Sequence, residues 1–324
     1  MLYKLIDRPI YVPYDKYKIL IDKIVDELSK DINVLSIFQV GSIKNPGISD
    51  LDLFCIFKNG SKNVIDYRTN LSSIEKQILT HNIFILEKKY LNQWLSYNHL
   101  SNYNYLYGQE NLFNHKKIVE LSDDMKTQIA LEYLIKMHIN LHTQMTYGII
   151  KLRTFLLEAK AIMFDLQLLG INGGRLYDKV KEVIYIRNDW YHLKLDDSKI
   201  CLLIDKFSMM LNELLNELLV DKVFYLPFPK FKISRNINIA HGDGLLSRHR
   251  GIVFPLFFYF LGKKYVNLQN RFNKFNYYIR FTIPEYENIM AKRFNFNEEI
   301  YLNNIKNFPF FISPVSSLRI FFSR

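Results

Sequence analysis

Cysteine is nearly absent from this chain: its 324 residues include only Cys55 and Cys201. Both sit in apolar stretches without a C-x-x-C spacing, which excludes a disulfide framework and a structural zinc site and fits a reducing compartment. Long hydrophobic runs are lacking as well. The longest nearly pure one, Ile252 to Leu261, has ten residues and contains Pro255, whereas a membrane-spanning helix needs about 20. Met1 to Pro13 mixes charges and prolines into its apolar residues and has no secretory hydrophobic core. A cytoplasmic protein without a transmembrane segment is expected. No fixed-period repeat is present, which excludes a solenoid.

Apolar residues make up 49% of the chain and charged residues 23%, the balance of a folded globular protein rather than a disordered one. The length suits two or three domains at roughly 150 residues each. The formal net charge is +11, which points toward anionic partners: nucleotides, nucleic acid or an acidic membrane surface. That charge is concentrated. Between Lys230 and Arg324 fifteen Lys or Arg stand against five acidic residues.

Hydrophobic spacing gives the organisation. Ile19, Leu20, Ile24, Val25 and Leu28 recur at helical intervals within Tyr14 to Lys30. Val34 to Val40 reads as a strand ending at Gly41, and Asp50 to Phe57 as a second strand closed by Asn59, Gly60 and Ser61. A helix is expected over Val64 to Thr80, broken by His81-Asn82. Ile83 to Leu86 then forms a short strand that closes on Glu87. From Ser122 to Leu219 the spacing is helical, as in Ile204, Phe207, Leu211, Leu215 and Leu218, with a break at Gly170 to Gly174.

The chemistry concentrates in Val40-Gly41-Ser42-Ile43-Lys44-Asn45-Pro46-Gly47-Ile48-Ser49-Asp50-Leu51-Asp52-Leu53. Alternate side chains of a strand share a face, so Asp50 and Asp52 project together while Leu51 and Leu53 pack the other way. Two carboxylates on one face repel each other unless a cation lies between them, and carboxylate oxygens suit magnesium or manganese. Gly41 lets the backbone approach a phosphate, and the Ser42 hydroxyl and turn N–H groups can meet the anion.

These residues resemble the nucleotidyltransferase superfamily typified by DNA polymerase β, the poly(A) polymerases and kanamycin nucleotidyltransferase. The shared signature is an apolar strand, Gly-Ser, a spacer, and Asp-x-Asp between apolar residues. The resemblance covers about residues 14 to 110. It takes in Leu106-Tyr107-Gly108, which is similar to an element following the catalytic strands of several bacterial members. It implies a two-metal transfer of NMP from an NTP to a hydroxyl acceptor with release of pyrophosphate. Asp50 and Asp52 would hold Mg2+ or Mn2+, and Ser42 with the Gly41 backbone would hold the triphosphate. Glu87 is the candidate third carboxylate. The chain departs from the pattern in its short seven-residue spacer and in a Glu, not the commoner Asp, at the third position.

The fold implied is an α/β nucleotidyltransferase domain with a polymerase β-like palm over 1–115. An α-helical bundle over 120–225 and a basic, aromatic α+β region over 226–324 follow. Within the bundle, Arg187-Asn188-Asp189-Trp190-Tyr191-His192 resembles the R-x4-to-6-H signature of HEPN domains, in which His can move a proton and Arg can stabilise a phosphorane-like charge. Lys194 stands where HEPN toxins carry a tyrosine. Two alternatives remain. One is a catalytically degenerate nucleotide- or nucleic-acid-binding protein of this fold. The other is a HEPN-type RNase with a regulatory nucleotidyltransferase domain.

His138 and His142 lie one helical turn apart and lack the Glu of the metalloprotease motif, so they are expected on a helix face. His241-Gly242-Asp243-Gly244 is expected to be a turn, and Leu211 to Leu219 core. In the last region Arg248, Arg250, Lys263, Lys264, Arg271 and Lys274 are interleaved with Phe254, Phe257, Tyr259, Tyr265, Phe272 and Phe275. RNA or another polyanion is the partner this pattern suits. Phe254 to Phe260 is expected to be buried.

Overall fold

The computed structural model describes residues 3–98, 102–109, 112 and 121–315. The chain forms two compact units. One comprises Ile10–Ser122 and Asn295–Val315, the other Asp123–Phe294 with the residues up to Pro9. The region beyond 226, grouped as one by composition, is thus shared: up to Phe294 it belongs with the helices, and Asn295–Val315 with the first strands. The short strand β1 (Lys4–Ile6) belongs to the second unit.

The first unit opens with α1 (Tyr14–Ser29), whose buried Tyr17, Leu20, Ile24 and Leu28 repeat at three and four residues. Strands β2 (Val34–Val40) and β3 (Asp52–Phe57) pair antiparallel, with Val40 opposite Asp52. Helix α2 (Ser73–Ile78) precedes β4 (Phe84–Glu87), which runs parallel to β3 with Phe57 opposite Glu87. Helix α3 (Lys88–Leu95) leads to β5 (Tyr103–Gly108), antiparallel to β2, and the strand order is β4-β3-β2-β5. Leu106, Tyr107 and Gly108 end this edge strand. A Cβ on Gly108, at φ +92°, would lie 2.0 Å from the Leu35 carbonyl oxygen, so only glycine fits there.

The two central strands are apolar on both faces. Leu53, Cys55 and Phe57 join the α1 core, where Phe57 meets Phe308 and Phe311 at 5.1 and 6.0 Å between ring centroids. Phe54 faces the other way, onto Trp94 at 5.4 Å. Burial on both faces leaves the ends of this sheet as the places where its side chains reach water.

Helix α2 covers six residues of the seventeen expected between Val64 and Thr80. Two local turns explain the difference: the Asn63 side chain accepts from the Ile65 N–H at 3.0 Å, and the Asp66 side chain from the Arg68 N–H at 2.9 Å. Such bonds give the backbone an alternative to helix. The helix starts only at Ser72, whose hydroxyl accepts from the Glu75 N–H while the Glu75 carboxylate accepts from the Ser72 N–H.

The second unit contains α4 (Asp123–Thr146), β6 (Ile149–Lys151), α5 (Leu152–Leu168), α6 (Arg175–Asn188) and α7 (Asp197–Asp221). Strand β6 pairs parallel with β1. Gly170 and Gly174, both at positive φ, fall between α5 and α6 as the sequence break implies. Leu211, Leu215, Leu218 and Leu219 are core. Buried Glu132 on α4 forms two hydrogen bonds, of 2.7 and 3.0 Å, to the Arg293 guanidinium.

A second four-stranded sheet follows: β7 (Lys230–Ser234), β8 (Ile237–His241), β9 (Leu245–Gly251) and β10 (Asn273–Ile279), ordered β7-β8-β10-β9. His241 to Gly244 makes the turn between β8 and β9. Between β9 and β10 lie a 3-10 helix, Leu256–Leu261, and α8 (Lys263–Phe272). Phe231, Ile237, Ile239, Leu245, Phe275 and Tyr277 occupy the buried face. Lys230, Lys232, Arg248, Arg250 and Lys274 alternate onto the exposed one, and Lys274 stands directly opposite Arg250. Helix α9 (Ile289–Asn307) gives its first residues to this unit and its remainder to the other. Among the described residues no helix is long and apolar enough to cross a membrane.

Candidate metal centre

The loop from Gly41 to Leu51 is built from beneath. Tyr17 on α1, fully buried, accepts a hydrogen bond from the Gly47 N–H at 2.9 Å and donates to the Ser49 carbonyl at 2.6 Å. Ile48 and Leu51 are buried, and the Leu51 N–H donates to the Ile78 carbonyl at 2.9 Å. With these side chains turned inward, Asp50 and Asp52 are left half-exposed at the end of the sheet.

Three side chains converge there. Asp50, Asp52 and His81 each offer a ligand atom, and these atoms all lie within 4.8 Å of one another. The His81 Nε2 is 2.6 Å from the Asp52 Oδ1, and the Thr80 hydroxyl donates to the Asp50 Oδ2 at 3.3 Å. The other ring nitrogen, Nδ1, sits 2.7 Å from the Asn82 carbonyl oxygen. A carbonyl can only accept, so Nδ1 carries a proton, and Nε2 is the atom turned to the carboxylates. Phe84 packs against the ring at 5.0 Å. Burial works against an imidazolium here, but the Asp52 hydrogen bond and charge, the Asn82 carbonyl and the Asp50 charge together raise the His81 pKa above its usual value.

Two carboxylate oxygens and an imidazole nitrogen fit a divalent cation. The Nδ1–H bond to a backbone carbonyl is the outer contact that orients a metal-binding histidine. Without a cation, the His81 imidazole is the group that pairs with Asp52. An imidazole among the donors suits manganese or zinc better than magnesium, which prefers oxygen.

The residues read from the sequence are distributed unevenly around this centre. Gly41 follows Val40, the partner of Asp52, so Gly41 and Ser42 lie at the same end of the sheet as the carboxylates. Gly41 is in the left-handed region at φ +74°, and its N–H donates to the Asn102 carbonyl at 2.8 Å. That N–H is therefore not offered to a phosphate, and the half-exposed Ser42 remains the better placed group.

Glu87 is not brought to the centre. It faces Phe57, five residues along β3 from Asp52, which at about 3.3 Å per residue is roughly 16 Å away. It is fully buried, accepts from the Gly60 N–H and from the Asn303 amide at 2.9 Å, and pairs with Lys89 at 3.2 Å. These bonds fix the turn after β3 and hold the later part of α9. The third group at the centre is His81, which in the sequence marks only a helix break. The signal that finds it is register: β3 and β4 run parallel, so residues just before β4 stand level with Asp52.

Arg187 and His192 have unlike surroundings, the arginine buried near the end of α6 and the histidine exposed beyond it. His138 and His142 stack with rings parallel within 3° and 5.9 Å apart, and the His142 Nδ1 lies 2.9 Å from the Tyr277 hydroxyl. Burial, with His142 nearby, pushes His138 down to about 3. Burial, with His249 nearby, also lowers His142. His138 is buried in the core and His142 is half-buried at its edge. Among the described residues Asp50, Asp52 and His81 form the one such cluster of ligand groups.

No family model matches this chain, and no curated protein does. Among solved structures the chain is similar to a nucleotidyltransferase-like protein from Exiguobacterium sibiricum 255-15. That match has 14% identity over 64% of this chain and 80% of the other, with a TM-score of 0.24. At that score the likeness says nothing of this chain's chemistry, which rests on its own geometry.

Proposed function

We propose that the first unit is a metal-dependent nucleotidyltransferase that moves an NMP from an NTP to a hydroxyl acceptor. The observation that carries this reading is the convergence of Asp50, Asp52 and the His81 Nε2 within 4.8 Å, at the sheet end where Gly41-Ser42 also lies. Asp50, Asp52 and His81 hold the cation, and Ser42 donates to a phosphate oxygen. A bound divalent cation supplies positive charge to the triphosphate and to the attacking oxygen. The acceptor hydroxyl gives up its proton to solvent, its oxygen bonds to the α-phosphorus as the bond to the bridging oxygen breaks, and pyrophosphate leaves.

The test is transfer of label from each α-labelled NTP with Mg2+ or Mn2+, with and without added RNA, beside Asp52→Ala. Label on an acceptor that vanishes in the variant supports the reading. Silence of both proteins, together with cation-dependent NTP binding, favours a second reading in which the centre binds nucleotide without transfer. The observation behind that second reading is the imidazole of His81 where a third carboxylate is expected.

RNA as partner or acceptor is also proposed. Its support is the exposed face of the second sheet, whose four strands contain five Lys or Arg and no carboxylate. On that face the Arg248 guanidinium lies 5.2 Å from the centre of the Tyr278 ring, a planar pair on which a base can stack. A salt-sensitive gel shift with labelled RNA that weakens in Arg248→Ala supports it, and the absence of any shift removes it.

A further inference from the structure

Phe254 to Phe260, expected to be buried, is half-buried or exposed throughout. Phe257 and Phe260 on the 3-10 helix are 69% and 77% exposed, and Ile252 before them is 69% exposed. Exposed apolar side chains concentrated in one short segment have the composition of a docking surface.

The segment is held firmly from below. The Phe254 carbonyl accepts from the Tyr265 hydroxyl at 2.9 Å and from the Gln269 amide at 3.1 Å, and the Phe254 N–H donates to Gln269 at 3.1 Å. The Asn273 amide donates to the Ile252 carbonyl at 3.0 Å. Tyr265, Gln269 and Asn273 are all fully buried. The fold therefore commits three buried polar side chains to fixing a loop whose Phe257 and Phe260 rings face water.

Along this stretch of chain the charge has one sign. No acidic residue occurs from Ile252 to Ile279, while Lys263, Lys264 and Arg271 on α8 are exposed. Arg235, Lys264 and Arg271, with Asn267 and Asn270, line a neighbouring groove of about 660 Å³. Among the described residues no carboxylate pairs with any of these cations.

We propose that this aromatic wedge and its cationic collar dock on an anionic phospholipid bilayer. The rings enter the headgroup and acyl boundary, and the collar and groove meet lipid phosphates. The collar argues against a second copy of the chain, since two such surfaces repel. The aliphatic members of the wedge, Ile252 and Leu256, offer a polynucleotide nothing, whereas a bilayer takes them in.

The test is co-sedimentation of the full chain with vesicles of phosphatidylglycerol and phosphatidylcholine, beside pure phosphatidylcholine, at low and high salt. The expected result is partition onto anionic vesicles at least about tenfold above neutral ones. Phe257→Ser with Phe260→Ser should lower that partition about tenfold or more, and Lys263→Gln with Lys264→Gln should reduce it and flatten its salt dependence. As a readout independent of folding losses, Phe260→Trp should shift its emission to the blue on anionic vesicles only. Protein that stays in the supernatant overturns the proposal, as does equal pelleting of wild type and the double Ser variant. A dimer, or an RNA complex, that the double Ser variant abolishes while vesicles are ignored would also overturn it and name the other occupant. None of these outcomes depends on nucleotidyl transfer.

Discussion

The molecule's two four-stranded sheets place their polar chemistry differently. In β4-β3-β2-β5 the central strands are buried on both faces, and the acidic cluster sits half-exposed at one end. In β7-β8-β10-β9 one face is core and the other is a cationic surface. The inner face carries polar groups of mixed burial: buried Tyr277 meets half-buried His142, and buried Asn273 meets exposed His249 at 2.8 Å. A doubly covered sheet can offer chemistry only at its strand ends, so a strand-end motif there is informative. A half-covered sheet mixes structural and solvating charge along every strand, and residue type alone does not separate them.

The largest expected effect tests that separation on carboxylates. Asp52→Asn should lower nucleotidyl transfer about a thousandfold, equivalent to about 4 kcal/mol of barrier, with little loss of stability, because Asp52 is half-exposed. Glu87→Gln should do the reverse: transfer persists while the midpoint of urea unfolding falls, since the buried bonds to Gly60, Asn303 and Lys89 are weakened. Transfer lost in Glu87→Gln at unchanged stability would put the catalytic carboxylate back at the far end of β4.

The buried Glu132–Arg293 pair of the second unit is structural charge. Glu132→Ala leaves the Arg293 guanidinium buried without its bidentate partner, and a loss of about 3–5 kcal/mol in unfolding free energy is expected. A substitution that costs less than about 1 kcal/mol would mean that water reaches Arg293 easily.

Acid should weaken the same unit. His138 is kept neutral in the fold, with a pKa pushed down to about 3 by burial and then by His142, while the unfolded chain takes up a proton near pH 6.5. Its contribution is therefore complete above about 6.5 and is lost as pH falls toward 3, at up to about 1.4 kcal/mol per pH unit. His142, lowered by burial and then by His249, adds to the loss. Asp165 runs the other way. Burial raises its pKa, so its share is complete below the unfolded carboxylate range and disappears as pH rises through its folded value. Urea unfolding of wild type and His138→Leu at pH 7, 6, 5 and 4 separates them, because the variant should lose stability less steeply with acid.

These contrasts also show where the sequence is legible. The strand, Gly-Ser turn and Asp-x-Asp are local, and the buried Ile48 and Leu51 hold that geometry within eleven residues. His81 is not local. Its approach to Asp52 depends on the parallel pairing of β3 with β4, which no spacing between residues 52 and 81 reveals. The position of Glu87 depends on the same pairing, which sets it opposite Phe57 and away from the carboxylates. The 3-10 segment misled through composition: apolar residues imply burial only when the chain has a surface to lay them on, and Phe257 and Phe260 have none in this fold.

The smallest expected effect bears on which cation the acidic sheet end selects. An imidazole raises affinity for manganese more than for magnesium, so His81→Asp should lower the ratio of Mn2+ to Mg2+ affinity about tenfold. The measurement is the signal of free Mn2+ by electron paramagnetic resonance, with Mg2+ as competitor. The same titration against pH gives a second reading of the residue. The His81 proton must leave before Nε2 can bind a cation, and the neighbouring carboxylates raise its pKa. Wild-type affinity should therefore fall as pH drops, starting above the ordinary histidine range. In His81→Asp that fall should move down into the carboxylate range. A variant with unchanged cation preference and unchanged pH dependence would show that His81 only neutralises Asp52 and leaves cation binding to the two aspartates.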